Sequence, residues 1–284
     1  MATPAVEDLP EVVREVCAGH AALVDAQLPG LLDGLHLHGS LGFDGEFFAG
    51  SDVDVVVVTS RRVSEAEVGV LRGVHAELGR RWPRPAYDGF YVVEGDLTGA
   101  PEDVPAVPGV LDGWFDVGTH GDVTQITWRE LRDHSVTLRG KPAREIGIPS
   151  DGAALHEATR LNLDTYWRHQ LEVLRHHPRE AALPQACEWG ALGAARLHRL
   201  LVTGRPTSKS GGGRWAVEAF PAHAEVAREG LRVREQPDAP STYAADPARR
   251  ARDLIALMAD VVADGVVRTE GPTVAEAVVP QSHS

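Results

Sequence analysis

The sequence has few cysteines and no long apolar segment. Its two cysteines, Cys17 and Cys187, lie far apart on predicted amphipathic helices, and we expect both to be buried thiols. This usage fits a reducing compartment, so the expected localisation is the cytoplasm. No apolar run approaches the roughly 20 residues that a membrane-spanning helix needs. The first residues lack a basic region followed by an apolar one, so we expect neither a signal peptide nor a membrane partner.

Basic side chains are also scarce. The chain carries 28 Lys and Arg residues against 41 Asp and Glu residues, which gives a net charge of −13. This balance argues against a polymerase or any protein that grips a nucleic-acid backbone, because phosphate contacts of that kind need clustered cations. It favours a cationic partner through long-range attraction. The alternative is that the acidic surface serves solubility alone.

Length and composition indicate a globular protein of two domains. At 284 residues the chain exceeds the usual size of a single domain. Its hydrophobic content of 43% and charged content of 24% are ordinary for a soluble protein.

One stretch of the chain combines a strand with a glycine-rich turn. Residues 35–38 alternate in the two-residue period of a strand, and Gly39 and Ser40 follow directly. We expect His36 and His38 in that strand to be packing or edge residues rather than metal ligands. Glycine lets backbone amides approach a phosphate closely, and the Ser40 hydroxyl can donate to a phosphate oxygen. Further glycines follow at Gly42, Gly45 and Gly50.

A pair of carboxylates then precedes a run of valines. Asp52 and Asp54 are two residues apart, so on a strand they project from the same face. Two such anions repel unless a cation lies between them, and oxygen ligands at this spacing suit Mg²⁺. The valines at 55–58 are typical of a buried strand that would anchor the pair. The alternative is a polar loop that happens to precede a strand.

The remaining elements follow from periodicity and capping signals. Asp8 is a candidate N-cap for a first helix, Ser64 opens a capping box, and Thr127 to Glu130 repeat that pattern. Residues 95–125, rich in proline, glycine and acids, indicate an irregular excursion. The predicted helices of the first half are 9–28, 64–81 and 127–137, and its predicted later strands are 86–93 and 114–117.

Together, the Gly39-Ser40 turn, the Asp52-x-Asp54 pair and the valine run resemble the signature of the nucleotidyltransferase superfamily with the DNA polymerase β-like fold. The resemblance implies that Gly39 and Ser40 hold the triphosphate of ATP. It also implies that Asp52 and Asp54 hold two Mg²⁺ ions and through them contribute to ATP binding.

The same resemblance implies a third carboxylate on the strand beside the metal pair. Asp88 lies in the strand predicted at 86–93. In aminoglycoside-modifying members this position is the general base for the acceptor hydroxyl, and we expect Asp88 to share one metal ion. Asp stands here where Glu is usual, and Glu94, six residues further on, is the alternative base.

The second half of the chain has the periodicity of a helical domain. Apolar residues recur at helical spacing from Leu155 to Leu174, and no strand pattern follows. The further predicted helices are 184–202, 214–234 and 246–265.

Residues 195–221 narrow the resemblance to the aminoglycoside 3″(9)-adenylyltransferases, which transfer AMP to streptomycin and spectinomycin. In that family an Arg before a Thr-Gly-Arg turn and a Lys four residues after the turn reach the ATP phosphates. The turn is 203–205 here, so Arg196 and Lys209 occupy those positions. With the first domain, the resemblance covers residues from about 30 to about 235.

Acceptor recognition is implied by a third set of positions. In the streptomycin-modifying members a Trp stacks on the drug and an acid five residues later accepts its amines. Trp167 and Glu172 have that spacing here, with Glu in place of Asp. The next acidic and His positions of the family correspond to Ala186 and Trp189, and these departures leave the identity of the acceptor open.

These inferences combine into one prediction. The fold is an α/β (α+β) nucleotidyltransferase domain with a small mixed sheet at 1–146, followed by an all-α helical-bundle domain at 151–267 and a tail at 268–284. The protein, a monomer, transfers AMP from ATP to a hydroxyl of a cationic, aminoglycoside-type antibiotic with Mg²⁺ as cofactor and releases pyrophosphate. The alternatives are transfer to another small metabolite or to a protein hydroxyl, and a non-catalytic ligand-binding homologue.

Overall fold

The computed structural model describes residues 4–43, 45–118 and 122–269. The chain forms two compact units, Met1–Ser150 and Asp151–Ser284. The described part of the first unit combines a sheet with helices, and the described part of the second is helical. None of the described helices is both long enough and apolar enough to cross a lipid bilayer. Most of the predicted tail, from residue 270 onward, lies outside the described residues.

The first unit is built on a mixed sheet. Its described strands are β1 (Leu32–Leu37), β2 (Val53–Thr59), β3 (Tyr87–Val93), β4 (Val107–Leu111), β5 (Trp114–Gly118) and β6 (Val136–Arg139). Its described helices are α1 (Glu11–Gln27), α2 (Glu65–Arg81), α3 (Glu94–Leu97), α4 (Gln125–His134) and α5 (Ala143–Ile146), with short 3₁₀ turns at Val6–Asp8, Gly39–Gly42 and Pro101–Asp103.

The strand order β5-β4-β3-β2-β1-β6 determines which chain ends meet. β2 and β3 are parallel, so both begin at the same edge of the sheet. β1 is antiparallel to β2, so the end of β1 reaches that edge too. The remaining neighbours pair antiparallel. The turn after β1 and the first residues of β2 and β3 therefore lie together.

The valine run of β2 is buried on both faces of the sheet. Val55 and Val57 pack in the cluster that α1 and α2 complete, whereas Val56 and Val58 pack in the cluster that contains Trp128 of α4. Each of the four valines is at most 4% exposed. Full burial of such a side chain stabilises the folded state by about 1.5 to 3 kcal/mol. β2 is thus a rigid support for the residues that precede it.

Helix starts were predicted with mixed success. The capping box at Ser64 is confirmed, since its backbone N–H donates to Oε2 of Glu67 at 2.9 Å. Asp8 does not cap α1, because it belongs to a separate 3₁₀ turn and Pro10 precedes the helix. The second capping box is also wrong. Thr124 caps α4 by accepting from the backbone N–H of Thr127 at 3.2 Å.

Two strands of the structure, β4 and β6, were not predicted from the sequence. β4 contains Pro108 and Gly109, which are unfavourable inside strands, yet it pairs with β3 and β5. The helix predicted to run to residue 137 ends at His134, and β6 follows it. β6 pairs with β1, so tertiary pairing decides its conformation.

The second unit is confirmed as helical over the residues that the structure describes. Its helices are α6 (Gly152–Asn162), α7 (Arg168–His176), α8 (Pro178–Ala181), α9 (Pro184–Cys187), α10 (Gly193–Thr203), α11 (Lys209–Ala219), α12 (Ala224–Glu235) and α13 (Pro247–Val267). A π-helical turn at Leu163–Trp167 joins α6 to α7, and another at Glu188–Leu192 joins α9 to α10. The single helix predicted at 214–234 is two helices, because Pro221 lacks the N–H that would continue α11.

Candidate active site

The turn after β1 brings its backbone against the carboxylate of Asp54. Gly39 has a φ of +60°, and a Cβ atom built on it would lie 2.2 Å from Oδ2 of Asp54. Only glycine fits both the conformation and the contact. The backbone N–H of His38 donates to the carbonyl oxygen of Asp54 at 3.1 Å, which ties the turn to β2. Ser40 follows in the same turn and is partly exposed.

The predicted carboxylates meet at this edge of the sheet. Asp54 and Asp88 are directly paired residues on the parallel strands β2 and β3, so their side chains leave the same face. Asp52 lies two residues before Asp54. Asp88 is 4% exposed, whereas Asp52 and Asp54 are partly exposed. The three acids thus form one cluster beside the Gly39-Ser40 turn.

Burial and mutual repulsion raise the pKa values of this cluster. Burial raises the pKa of Asp54 to about 6; His38 opposes the shift, and the negative charges of Asp122 and Asp52 add to it. Burial likewise raises the pKa of Asp88 to about 7, with Asp52 and Asp54 adding to the shift. A positive charge at the cluster would favour the ionised carboxylates.

The donor chemistry of the cluster fits Mg²⁺. Within the described residues, no group of three or more His, Cys, Asp or Glu side chains is arranged as a ready metal cage. Mg²⁺ is usually held by one or two carboxylates together with substrate phosphates and water, and needs no such cage. Asp52 and Asp54 supply those carboxylates, and their repulsion with Asp88 is what a divalent cation would relieve.

Glu94, the alternative base, lies away from this edge. It begins α3 directly after β3, whereas Asp88 is the second residue of that strand, so the two lie at opposite ends of β3. Its carboxylate pairs with the ammonium group of Lys141 at 3.1 Å. The geometry therefore associates Asp88, and not Glu94, with Asp54.

His38 is part of the cluster, which the sequence did not indicate. The ring is buried, and its Nδ1 lies 3.5 Å from Oε2 of Glu130 on α4. Burial alone would lower the pKa of His38, but the carboxylates of Glu130, Asp54 and Asp122 together raise it. His36, in contrast, faces Thr137 at 3.1 Å and matches its predicted packing role. No sequence signal relates residues 38 and 130, which sheet and helix packing bring together.

The β4–β5 hairpin also reaches the cluster. The backbone N–H of Asp112 in its turn donates to Oδ1 of Asp88 at 3.0 Å. On either side of that turn, the paired residues Leu111 and Trp114 are 52% and 83% exposed. An Asp-Gly pair between two strands is a strong hairpin signal, so Asp112-Gly113 could have revealed this turn from sequence. Its contact with Asp88 could not have been foreseen.

In the second unit, Arg196 and Lys209 lie on helices that pack closely. Lys209 begins α11, and a Cβ atom built on Gly212 of α11 would lie 2.8 Å from Cβ of Arg196 on α10. Both cations are partly exposed. Their predicted role with ATP phosphates stays a prediction.

The two predicted acceptor-binding residues have different surroundings. Trp167 is 6% exposed, and its ring packs 4.8 Å from that of Trp189 and against Gly193. It therefore offers little free surface for stacking, whereas the neighbouring Tyr166 is 45% exposed. Glu172 is exposed and pairs with Arg175 of its own helix. Acceptor binding by Trp167 and Glu172 remains a prediction.

Comparison with known proteins adds one result. No protein-family model matches the chain, and no curated protein matches it in sequence. Among solved structures, it is similar to the crystal structure of spectinomycin adenyltransferase AAD(9) from Enterococcus faecialis with ATP and spectinomycin. The sequence identity is 14% and the TM-score 0.62, over 87% of this chain and 99% of the other.

The chain shares the fold of that protein, a domain built on a mixed sheet followed by a helical domain. This confirms the fold class predicted from the Gly39-Ser40 turn, the Asp52-x-Asp54 pair and the helical second half.

Proposed function

We propose that the protein transfers AMP from ATP to a hydroxyl group of an aminoglycoside-type antibiotic. The observation that supports this most is the cluster of Asp52, Asp54 and Asp88 at one edge of the sheet, beside the Gly39-Ser40 turn. Nucleotidyl transfer requires a metal-binding carboxylate pair, a backbone turn for phosphates and a base for the acceptor. The structurally similar AAD(9) protein was solved with ATP and spectinomycin, which suits this substrate class.

In the proposed reaction, the acceptor oxygen bonds to the α-phosphorus of ATP while the bond from that phosphorus to the bridging oxygen breaks. Pyrophosphate leaves, and the acceptor proton passes to the carboxylate of Asp88. The backbone N–H of Asp112 holds that carboxylate at Oδ1 and leaves Oδ2 for the proton. Two Mg²⁺ ions on Asp52 and Asp54, when bound, would supply positive charge to the phosphates.

The remaining roles concern binding. Gly39 and Ser40 would hold the triphosphate through backbone amides and a hydroxyl group, and Arg196 and Lys209 would add positive charge to it. Trp114, on the hairpin whose turn donates to Asp88, would provide an exposed ring for the acceptor, since large exposed aromatic side chains commonly serve binding.

Mass spectrometry of antibiotics incubated with the protein and MgATP tests this proposal. Spectinomycin and streptomycin are the first acceptors, and an added AMP with release of pyrophosphate is the expected result. Asp54→Asn should abolish the product, and Asp238→Asn, an exposed loop substitution, is the matched control. Tight ATP binding without pyrophosphate release for any acceptor in a broad panel would contradict the proposal.

A further inference from the structure

Four buried side chains form a hydrogen-bonded network on the face of β3 opposite Asp88. His20 of α1 and His75 of α2 each place Nε2 at 2.7 Å from the hydroxyl oxygen of Tyr91. The other ring nitrogen of His20, Nδ1, lies 2.8 Å from the hydroxyl oxygen of Tyr87. The proposed reaction uses none of these groups, although all four are buried polar side chains in the core.

The hydrogen bonds of this network run in one direction. The Tyr91 hydroxyl has a single proton, so with neutral rings it donates to one imidazole and accepts from the other. If Tyr91 donates to His75, then His20 donates to Tyr91 and Tyr87 donates to His20; the alternative reverses every bond. Burial lowers the pKa of His20 and lowers that of His75 to about 4, which keeps both rings neutral near pH 7. Each hydroxyl group and each imidazole ring of these four side chains then has a hydrogen-bond partner.

The two tyrosines anchor the part of β3 that carries Asp88. Tyr87 directly precedes Asp88, and Tyr91 follows it by three residues. Gly89, between them on the same face, approaches β2 so closely that an added Cβ atom would lie 2.1 Å from the carbonyl oxygen of Val55. The side-chain anchors on this face are therefore the hydroxyl groups of Tyr87 and Tyr91.

We propose that Tyr87 and Tyr91 are positioning residues that hold the Asp88 carboxylate in its place beside Asp54. The hydrogen bonds from these tyrosines to α1 and α2 are directional, so they fix both the position of β3 along its axis and its tilt. Apolar packing of the same rings is not directional and does not fix them. The catalytic consequence rests on the function proposed above. The position of Asp88 itself does not depend on that function.

Removal of one tyrosine hydroxyl group at a time tests whether Tyr87 and Tyr91 position Asp88. The amide proton of Asp112 reports on Asp88, because it donates to that carboxylate at 3.0 Å. In Tyr87→Phe and Tyr91→Phe, we expect hydrogen exchange of this amide, followed by NMR, to accelerate at least about tenfold relative to the other hairpin amides. The control is Tyr243→Phe, which deletes a hydroxyl group of a buried tyrosine in the second unit that bonds to Asp253 at 2.8 Å.

Unchanged exchange of the Asp112 amide in the Tyr87→Phe protein would overturn the inference. That variant is the milder one, because it removes the terminal hydroxyl and leaves both hydrogen bonds of Tyr91 in place. It is therefore expected to fold even if Tyr91→Phe is strongly destabilised.

Kinetics test the catalytic part. A displaced Asp88 should lower kcat for AMP transfer about tenfold or more while KM for MgATP changes less than about twofold, because Gly39, Ser40, Asp52 and Asp54 are the first-unit groups proposed to bind the triphosphate and its metal ions. Wild-type kcat in Tyr87→Phe would contradict a role in catalysis. If the wild-type protein modifies no acceptor, the proposed function fails, and the exchange measurement still decides whether the tyrosines position Asp88.

Discussion

At the residue scale, the central feature is that the fold holds like charges together. Asp54 and Asp88 are paired across two parallel strands, and burial with mutual repulsion raises the pKa of each. His38 partly offsets the raised pKa of Asp54, and Gly39 lets the chain pass directly beside Asp54. An arrangement that opposes stability in this way is common where a protein binds a cation or moves a proton.

A methyl group at Gly39 should disrupt the carboxylate pair. Gly39→Ala combines backbone strain of about 1 to 2 kcal/mol with a contact of 2.2 Å to Oδ2 of Asp54. We expect AMP transfer to fall at least about 100-fold, because the carboxylate must move. Gly30→Ala is the matched control, since Gly30 also has a positive φ but no atom lies within 4 Å of its added Cβ. Equal activity of the two variants, measured by pyrophosphate release, would count against the site.

Asp88→Asn should lower turnover and raise stability. Its pKa of about 7 in the folded protein exceeds the ordinary value of 3.8, so the folded protein retains a proton that the unfolded chain releases. The contribution of Asp88 to stability therefore falls as pH rises from about 4 to about 7. Above pH 7 the buried, ionised Asp88 destabilises the folded protein by a free energy on the order of 1 to 4 kcal/mol, and asparagine, which carries no charge, removes this cost.

Urea unfolding without divalent cations tests whether the stability gained in Asp88→Asn increases with pH. The free energy of unfolding of Asp88→Asn should exceed that of the wild type, and this difference should be clearly larger near pH 8 than near pH 5. Turnover should fall about 10² to 10⁴-fold if Asp88 is the base. The exposed Asp238→Asn serves as control for both measurements. A stability difference that does not change with pH would show that the Asp88 pKa is not raised.

At the scale of elements, the β4–β5 hairpin adds a hydrogen bond to Asp88, and the hairpin and a π-helical turn expose aromatic rings. The hairpin turn donates to Asp88 and presents Trp114 to solvent. The π turn at Leu163–Trp167 adds a residue to one helical turn, and across it Trp167 is buried while Tyr166 is exposed. Both features determine which aromatic rings are exposed to solvent.

Trp114→Ala should weaken acceptor binding without affecting stability. The ring is 83% exposed, so its removal costs little packing. Loss of a stacking surface should raise KM for the acceptor about five- to tenfold while KM for MgATP stays constant. Val117→Ala, at 47% exposure on the same hairpin, is the comparison variant. Steady-state kinetics with varied acceptor would refute the role if Trp114→Ala and Val117→Ala behave alike.

At the scale of the whole molecule, the net charge of −13 would favour one of the two proposed substrates and disfavour the other. A cationic aminoglycoside is attracted over long range, and anionic MgATP is repelled. Positive groups near the triphosphate are then needed locally, which is consistent with the roles proposed for Arg196 and Lys209.

Salt should therefore act on the two substrates with opposite sign. Raising KCl from roughly 20 to 200 mM should lower kcat/KM for streptomycin several-fold, because screening weakens the attraction. KM for MgATP should stay constant or decrease over the same range, and it is the internal control. A parallel salt dependence of both substrates would indicate that the charge serves solubility alone.

The amino-acid sequence by itself determined the fold class and the central carboxylates. Their signals are local: a Gly-Ser turn, acids at a two-residue spacing, a run of valines and a helical period in the second half. The capping box at Ser64 belongs to the same category, because capping depends on neighbouring residues. Asp88 was implied by the family resemblance, and the local pattern predicted only the strand that carries it.

Only the tertiary structure decided what surrounds those residues. β4 forms although it contains Pro108 and Gly109, because pairing with β3 satisfies its backbone groups. β6 replaces the end of a predicted helix because it pairs with β1. The contact of His38 with Glu130, the donation from Asp112 to Asp88 and the network around Tyr91 each join elements far apart in the chain. No sequence period encodes such contacts, because sheet order and helix packing create them.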